Sequence, residues 1–251
     1  MSYTPERILL NRVSERVIHC RLCPRLTNYI TEVGQNKVRR FRHENYWAKP
    51  LPSFGDVKAK LLIVGLAPAA HGGNRTGRMF TGDSSGEWVA KVLFKTGFAN
   101  LATSRSKYDG LILNRAYITA AVRCSPPHNK PTLEEVSNCS QHLCAELRIL
   151  DKTIKVILTL GKVAFDTYCK VSKLPRLEFA HGGRHNLSSG RTLLASYHPS
   201  KQNTNTGRLT WEMWLEIFRT AKSIIVKKSS RSFNITGLFQ APVAEDRLAS
   251  S

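Results

Sequence analysis

Short apolar segments that alternate with helical patterns constrain the fold of this 251-residue chain more than any other feature. Four segments rich in Ile, Val, Leu and Thr have the length of buried strands: residues 60–64, 116–122, 155–160 and 191–197. Helical patterns lie between or after them, at residues 83–96, 132–150, 162–171 and 210–226. Because strand and helix alternate, we expect a doubly wound α/β sandwich built on these four parallel strands, as one large domain or two small ones.

Residues suited to helix ends support these boundaries. Ser84 with Glu87, and Thr132 with Glu135, have the spacing of capping boxes at the start of two of the helices. Gly97 is a suitable residue to end the first of these helices.

Unusual polar loops follow three of the four predicted strands. The sequence GLAPAAHGGNRTGRMFTGD follows the first strand, RCSPPHNKP the second and HPSKQNTNTGR the fourth. In an open parallel sheet, ligands bind at the carboxyl ends of the strands. These loops are therefore predicted to form one composite site.

The first loop contains a near match to a phosphate-binding P-loop. Gly72 and Gly77 have the required spacing, but Arg78 and Met79 stand where a P-loop has Lys and Ser or Thr. Without the lysine and the magnesium-binding hydroxyl, NTP hydrolysis is excluded. The glycines would still let the backbone pass close to a flat or anionic ligand.

The charge of the chain narrows the choice of partner. With 38 Lys and Arg against 18 Asp and Glu, the formal net charge is +20, which favours a polyanion and above all nucleic acid. No apolar run has the length of a membrane span, and charged residues interrupt the N-terminus where a signal peptide would be apolar. We expect no membrane binding and a cytoplasmic, nucleoid-associated location.

Four of the six cysteines have the pattern of a metal site. Cys20 and Cys23 form a close pair, and Cys124 and Cys139 form a second, wider pair. Zinc ribbons generally use two close pairs, whereas iron–sulfur clusters tolerate irregular spacing, and Pro24 after a ligand cysteine is typical of such clusters. Four unrelated buried thiols are the alternative.

Together, GLAPAAHGGNRTGRMFTGD, AYITAAVRCSPPHNKP and YHPSKQNTNTGRLT resemble the uracil-DNA glycosylase superfamily. The resemblance runs from about residue 20 to residue 226 and is to family 5, the prokaryotic iron–sulfur branch also called type B. It implies a single-domain α/β/α sandwich around a central four-stranded parallel sheet. It also implies removal of uracil, and of other deaminated bases such as hypoxanthine and xanthine, from DNA. It also implies a 4Fe-4S cluster that fastens the N-terminal segment, bound by Cys20, Cys23, Cys124 and Cys139.

The resemblance assigns roles to residues in the loops. His198 follows the fourth strand and would donate a hydrogen bond to the departing base, while Phe80 would stack on the flipped base. Asn114, at the base of the second strand, is included as a further substrate contact. The backbone at Gly65, Leu66, Ala67 and Ala69 would also bind the base.

Water activation is where this chain departs from other superfamily members. Ala69 stands where several of them have Asn, Asp or another polar group, and Ala120 replaces a base-reading Asn of family 4. Asn74 is therefore the candidate for orienting the water, and a pocket without that amide should accept several deaminated bases. Because no lysine was identified in the motifs to form a Schiff base, we expect a monofunctional enzyme that leaves an abasic site for base excision repair.

The remaining predictions concern the oligomeric state, the extent of the domain, the alternative function and the DNA contacts. We expect a monomer whose catalytic domain spans residues 1–226. Residues 227–251 would be a flexible basic tail with weak docking on a repair or replication partner. An iron–sulfur protein that binds DNA without glycosylase activity is the alternative function. The candidate phosphate and groove contacts are Arg25, Lys201, Gln202, Asn203 and Arg208.

Overall fold

A computed structural model describes residues 4–233, and every structural statement below concerns these residues. They form one six-stranded sheet in the order β1-β3-β2-β4-β6-β5. The strands are β1 (Phe54–Gly55), β2 (Leu61–Gly65), β3 (Ala116–Ala120), β4 (Val156–Leu160), β5 (Arg184–Asn186) and β6 (Thr192–Ser196).

The four predicted strands form the parallel centre of this sheet. β2 pairs with β3 on one side and β4 on the other, and β4 pairs with β6, in each case parallel. The expectation of only four strands is wrong, because β1 and β5 add antiparallel edges. These edge strands have only two and three residues, and β5 is polar, so neither has the apolar run by which the central strands were found.

Eight α-helices connect the strands, and residues 39–41 and 127–129 form 3₁₀ turns. The last helix continues to Phe233, past residue 226 where the ordered domain was expected to end. The predicted tail and its docking otherwise lie outside the described residues. The helices are α1 (Pro5–Ile18), α2 (Pro24–Gln35), α3 (Gly73–Thr76), α4 (Ser84–Thr96), α5 (Leu133–Leu150), α6 (Lys162–Val171), α7 (Lys201–Asn205) and α8 (Trp211–Phe233).

Two apolar layers cover the two faces of the sheet. Successive side chains of a strand point to opposite faces, so Ile63 of β2 packs in a core with residues of α4 and α8. Its neighbour Leu62 packs in a second core with residues of α1, α5 and α6. Each fully buried Leu or Ile contributes about 1.5–3 kcal/mol. The expected α/β/α layering is therefore correct.

The helix caps differ from prediction at one place. The capping box of Thr132 and Glu135 is present, with the Glu135 N–H donating to Thr132 Oγ1 at 3.2 Å. At α4, however, Asp83 and not Ser84 is the N-cap, because its Oδ1 accepts from the Gly86 N–H at 2.8 Å. Gly97 ends α4 in the left-handed conformation, at φ 80°.

Candidate active site

A pocket of about 590 Å³ opens at the carboxyl ends of the parallel strands. Gly65 ends β2, Ala120 ends β3 and Leu160 ends β4, and all three line it. The loops after β2, β3 and β6 meet here, as predicted. Of the predicted site residues, those lining the pocket are Gly65, Leu66, Ala67, Ala69, Phe80, His198, Lys201 and Gln202.

Phe80 is held in the pocket wall by strained backbone. Its φ is 49°, in the left-handed region that bulky residues rarely adopt. A Cβ on Gly65 would lie 3.0 Å from Phe80 Cζ, and one on Gly86 would lie 2.4 Å from the Phe80 carbonyl oxygen. These two glycines therefore leave the space that the Phe80 ring and backbone occupy. Strain of this kind is characteristic of functional sites.

His198 lies beside Phe80 and is neutral at physiological pH. Burial lowers the pKa of His198 to about 4. The ring centroids of Phe80 and His198 are 5.9 Å apart, less than the roughly 7 Å that a flat base between them would need at about 3.5 Å per contact. A flat ring therefore does not fit between Phe80 and His198.

Asn203, predicted to contact DNA, instead supports His198. Its Nδ2 donates to the His198 carbonyl oxygen at 2.8 Å, and the Ser200 N–H donates to the same oxygen at 2.8 Å. Ser200 also caps α7, since its side chain accepts from the Asn203 N–H. This turn fixes the backbone that carries the His198 ring.

Arg75, which lies between the two glycines of the near P-loop match, closes the loop after β2. Arg75 is buried and donates through Nε to the His71 carbonyl oxygen at 2.8 Å and through Nη2 to the Gly82 carbonyl oxygen at 2.9 Å. It also forms an ion pair with Glu44 and lies over the Phe41 ring at 3.9 Å. Because Arg75 joins the two ends of the loop, this motif is a clamp for the pocket wall and not a phosphate site.

Asp83 is a pocket residue that the sequence analysis missed. Its Oδ1 caps α4, and a Cβ on Gly72 would lie 1.9 Å from its Oδ2, so the carboxylate occupies space that a glycine leaves. Burial raises the pKa of Asp83 above its ordinary value. An acidic residue just before a helix, at the end of a Gly-rich loop, was the sequence pattern that could have identified it.

A second missed residue comes from the loop after β3. Asn129 lines the pocket next to His128, and both have left-handed backbone, at φ 57° and 54°. Asn129 adds an amide residue to the lining of a pocket in which the end of β3 is the apolar Ala120. The sequence RCSPPHNKP was predicted to contribute to the composite site, but Asn129 was not singled out from it.

Two predicted substrate residues lie elsewhere. Asn74 is fully buried behind the wall and donates through Nδ2 to the Ile30 carbonyl oxygen at 3.3 Å, so it does not line the pocket. Asn114 precedes the amino end of β3, and its N–H donates to the Phe98 carbonyl oxygen at 2.8 Å. The pocket lies at the carboxyl end of β3, whereas Asn114 lies just before its amino end. Asn114 is therefore far from the pocket.

Two predicted DNA contacts have partners within the protein. Arg25 forms a two-bond ion pair with Glu135, with Nε and Nη2 at 2.8 and 2.7 Å from the carboxylate oxygens. Arg208 lies over the Tyr197 ring at 4.5 Å. The guanidinium fork of Arg25 is thus used to join α2 to α5.

The four predicted ligand cysteines line one small cavity between α2, α5 and the segment after β3. Burial raises the pKa of Cys139 to about 11 and that of Cys124 further. Asn138 Nδ2 and the Arg123 N–H point at cysteine sulfurs, at 3.8 Å from Cys23 Sγ and 3.2 Å from Cys139 Sγ. In the described part of the chain, no three His, Cys, Asp or Glu side chains are grouped so that they could hold one metal ion.

The cavity also has features that suit a larger inorganic group. His142 lines it, and its buried Nε2 has no hydrogen-bond partner among the described residues. Four thiols with N–H groups aimed at two sulfurs are the donor set that iron–sulfur clusters use. The residues present therefore fit such a cluster.

A buried ion pair lies directly beneath this cavity. Arg123 donates through Nη2 to Glu146 Oε2 at 2.6 Å and to Thr119 Oγ1 at 2.7 Å, and through Nη1 to the Ser53 hydroxyl. The side chains of Arg123 and Glu146 are only 1% and 2% exposed. Since Arg123 precedes Cys124, and Glu146 is on the helix that carries Cys139, the pair fixes the spacing of these two thiols.

Comparisons with known proteins agree with this geometry. The family model described as the uracil DNA glycosylase superfamily matches residues 52–222. The chain is 48% identical over 207 residues to a type-5 uracil-DNA glycosylase of Thermus thermophilus, covering 82% of this chain and 93% of the relative. Proteins of the same name from Mycobacterium leprae (47%, 82% and 91% covered) and Pyrobaculum aerophilum (45%, 82% and 89% covered) are also similar. The chain therefore belongs to the uracil DNA glycosylase superfamily, as the motifs indicated.

Proposed function

We propose that this member of the uracil DNA glycosylase superfamily hydrolyses the bond between uracil and deoxyribose in DNA. The observation that carries the proposal is a neutral His198 beside a strained Phe80 in a pocket at the strand ends. The relatives named type-5 uracil-DNA glycosylase and the net charge of +20 support the same substrate. A pocket wide enough for a base suits an enzyme that flips a nucleotide out of the helix.

Bond cleavage develops charge on both sides of the glycosidic bond. The electron pair of that bond leaves with the ring nitrogen of uracil, so the base becomes anionic and the sugar cationic. Neutral His198 donates a hydrogen bond to the anionic base at its edge, and the backbone N–H groups of Leu66, Ala67 and Ala69, which line the pocket, would add others. Donors that match charge formed only in the transition state accelerate the reaction.

Water then adds to the cationic sugar carbon and loses a proton. Asp83 is the carboxylate of the pocket wall, and its raised pKa makes it a better proton acceptor than an ordinary Asp. Its negative charge also stabilises the sugar cation. Asp83 thus replaces Asn74 as the candidate for orienting the water.

The range of bases follows from the pocket wall. β3 contributes the apolar Ala120, so no amide from that strand selects uracil, whereas Asn129 comes from the turn after β3 and Gln202 from α7. Discrimination is strong only where a wrong ligand leaves polar groups unpaired. We therefore propose activity on hypoxanthine and xanthine as well as uracil.

The reaction ends at an abasic site without a covalent enzyme intermediate. Contrary to the sequence reasoning, two lysines line the pocket, Lys162 and Lys201. Lys162 Nζ forms an ion pair with Asp166 at 2.8 Å, so this amine already has a partner on its own helix. Trapping with borohydride checks Lys201: an enzyme–DNA adduct that Lys201→Gln abolishes would contradict a monofunctional mechanism.

A 4Fe-4S cluster at the four cysteines is part of the proposal. Cys20 and Cys23 would hold it from the N-terminal side and Cys124 and Cys139 from the sheet, so it would join α1 and α2 to the rest of the fold. The cluster would supply a structural cross-link there. Iron and sulfide analysis of purified protein tests this; a colourless protein with one zinc ion would contradict it.

The decisive test is an oligonucleotide that contains one uracil, treated with the protein and then with alkali. Strand cleavage at the uracil is the expected result, and hypoxanthine and xanthine substrates measure the base range. Binding without cleavage would support the alternative, a DNA-binding protein without glycosylase activity. We further propose that the chain acts as a monomer on chromosomal DNA in the cytoplasm; no helix of the described residues is long and apolar enough to cross a membrane.

A further inference from the structure

The loop of residues 104–111 is folded around one carboxylate. Asp109 Oδ2 accepts from the N–H groups of Arg105 and Ser106 at 2.7 and 3.2 Å, and Oδ1 accepts from the Leu111 N–H at 3.0 Å. Burial alone would raise the pKa of Asp109, but Arg78 and these N–H groups hold it well below its ordinary value. The 104–111 loop therefore has a fixed shape although it is on the surface.

This loop is also joined to the wall of the pocket. Arg78 donates to Asp109 Oδ2 at 2.8 Å, to Ser104 Oγ at 2.9 Å and to Thr81 Oγ1 at 3.0 Å. The Gly82 N–H donates to the Ser104 carbonyl oxygen at 2.9 Å. Since residues 78–82 carry Phe80, the loop and the pocket wall are fixed relative to one another.

The loop presents a cation and an aromatic ring to solvent. Tyr108 is 88% exposed, and Lys107 Nζ lies 4.3 Å from the Trp47 ring centroid and 5.7 Å from that of Tyr108. Lys49 Nζ lies 5.7 Å from the same Trp47 ring. We call these four residues, Trp47, Lys49, Lys107 and Tyr108, the Trp47 patch. Trp47 in turn packs against Gly77 of the pocket loop, where a Cβ would be 3.0 Å from the ring.

Lys107 and Tyr108 are exposed on the fixed loop, and Lys49 is exposed next to the partly buried Trp47. Ammonium groups beside aromatic faces bind nucleic acid strands, because the cations pair with phosphates and the rings stack on bases. An enzyme that flips a nucleotide also has to hold the neighbouring strand while the base stack is broken.

We propose that the Trp47 patch binds the DNA strand that flanks the flipped nucleotide, with Lys107 and Lys49 at phosphates and Tyr108 on an unstacked base. The proposal rests on the proposed function, because DNA is its ligand. The fixed link through Arg78 would hold the strand at a constant distance from Phe80. The patch then contributes to binding of the substrate and not to cleavage of the bond.

The experiment measures binding to an oligonucleotide with a stable tetrahydrofuran abasic site, which needs no chemistry. We expect Lys107→Gln to lower the slope of log Kd against log salt by about 0.9, the value for one phosphate. Lys58→Gln is the matched control, because Lys58 is exposed before the amino end of β2, at the opposite edge of the sheet. Tyr108→Ala should weaken binding about ten-fold, whereas Tyr108→Phe should retain it.

Single-turnover excision at saturating enzyme separates this inference from the proposed function. The control variant Lys58→Gln should match the wild type in that rate. If the wild type releases no uracil, the proposed function fails, while the salt slopes still decide the patch. Binding by Lys107→Gln and Tyr108→Ala equal to that of the wild type would overturn the inference, including the case in which the patch serves a protein partner.

Discussion

The pocket and the cysteine cavity both adjoin the carboxyl end of β3, yet they are built in opposite ways. In the pocket, accessible groups are held by loops: Phe80 in strained backbone, His198 on a capped turn and Asp83 at a helix N-terminus. In the cavity, the thiols are enclosed by packed elements above the buried pair of Arg123 and Glu146.

This difference assigns the reaction to the pocket and the stability of the fold to the cysteine cavity. Groups that must meet a substrate need position and access, which hydrogen-bonded loops provide. A structural centre has to be enclosed, and the buried ion pair of Arg123 and Glu146 holds the elements around it in place. Damage to the cavity should therefore unfold the protein before it slows the reaction, and damage to the pocket should do the reverse.

The largest expected effect is on the cavity side. Arg123→Met leaves the Glu146 carboxylate buried without its partner, which costs about 3–5 kcal/mol. Urea unfolding followed by circular dichroism measures it. The double variant Arg123→Met/Glu146→Leu should recover most of the loss, because no charge remains buried. A single variant as stable as the wild type would refute the role of this pair.

On the pocket side, His198→Ala should slow excision about 10²–10³-fold, as expected for loss of one donor to a developing anion. Unfolding in urea should change far less than for Arg123→Met. Single-turnover rates on the uracil oligonucleotide measure the loss. A variant that keeps nearly the full rate would remove His198 from the mechanism.

The pH dependence sharpens the assignment of His198. Its folded pKa of about 4 lies below the ordinary value of about 6.5, so the neutral donor persists down to about pH 4. Between these values the unfolded chain binds more protons, so this group's stability contribution is complete above about pH 6.5 and is lost as pH falls.

We therefore expect the protonation of His198 to lower kcat/KM about ten-fold per pH unit only below about pH 4. Asp83 is the other pocket group whose protonation could lower kcat/KM at acid pH, since its pKa is raised. If the histidine causes the acid limb of the pH–rate profile, His198→Gln should remove that limb and Asp83→Asn should leave it in place. A limb centred near pH 6.5 in the wild type would contradict the lowered pKa.

How far the sequence predicted these regions depends on whether a residue's neighbours are local. The central strands, the cap of Thr132 and the loops at the strand ends could be predicted, because periodicity and turn residues are local properties. The additional edge strands, β1 and β5, are too short to have a pattern. Asn74 and Asn114 were misplaced because a motif gives the order of residues and not the direction of a side chain.

Asp83 and Arg25 also show that the sequence does not predict contacts between residues that are distant along the chain. Asp83 looked like an ordinary residue before a helix, and its access to the pocket depends on Gly72, eleven residues earlier. Arg25 looked like a DNA contact because the chain is basic, but its partner Glu135 is distant in sequence.

Arg25 also gives the smallest expected effect. Its side chain is 44% exposed, and solvent screens an ion pair that is so open. Arg25→Gln should therefore lower the free energy of unfolding in urea only slightly, and by far less than Arg123→Met. It should also leave the salt slope of DNA binding unchanged, because the guanidinium is already paired with Glu135.

Glu135→Gln is the informative partner variant. It frees Arg25, while an amide at this position still supports the capping box. A steeper salt slope in that variant alone would show that only the ion pair withholds Arg25 from DNA. A slope reduced by about 0.9 in Arg25→Gln would instead place Arg25 at a phosphate and make the α2–α5 junction part of the DNA surface.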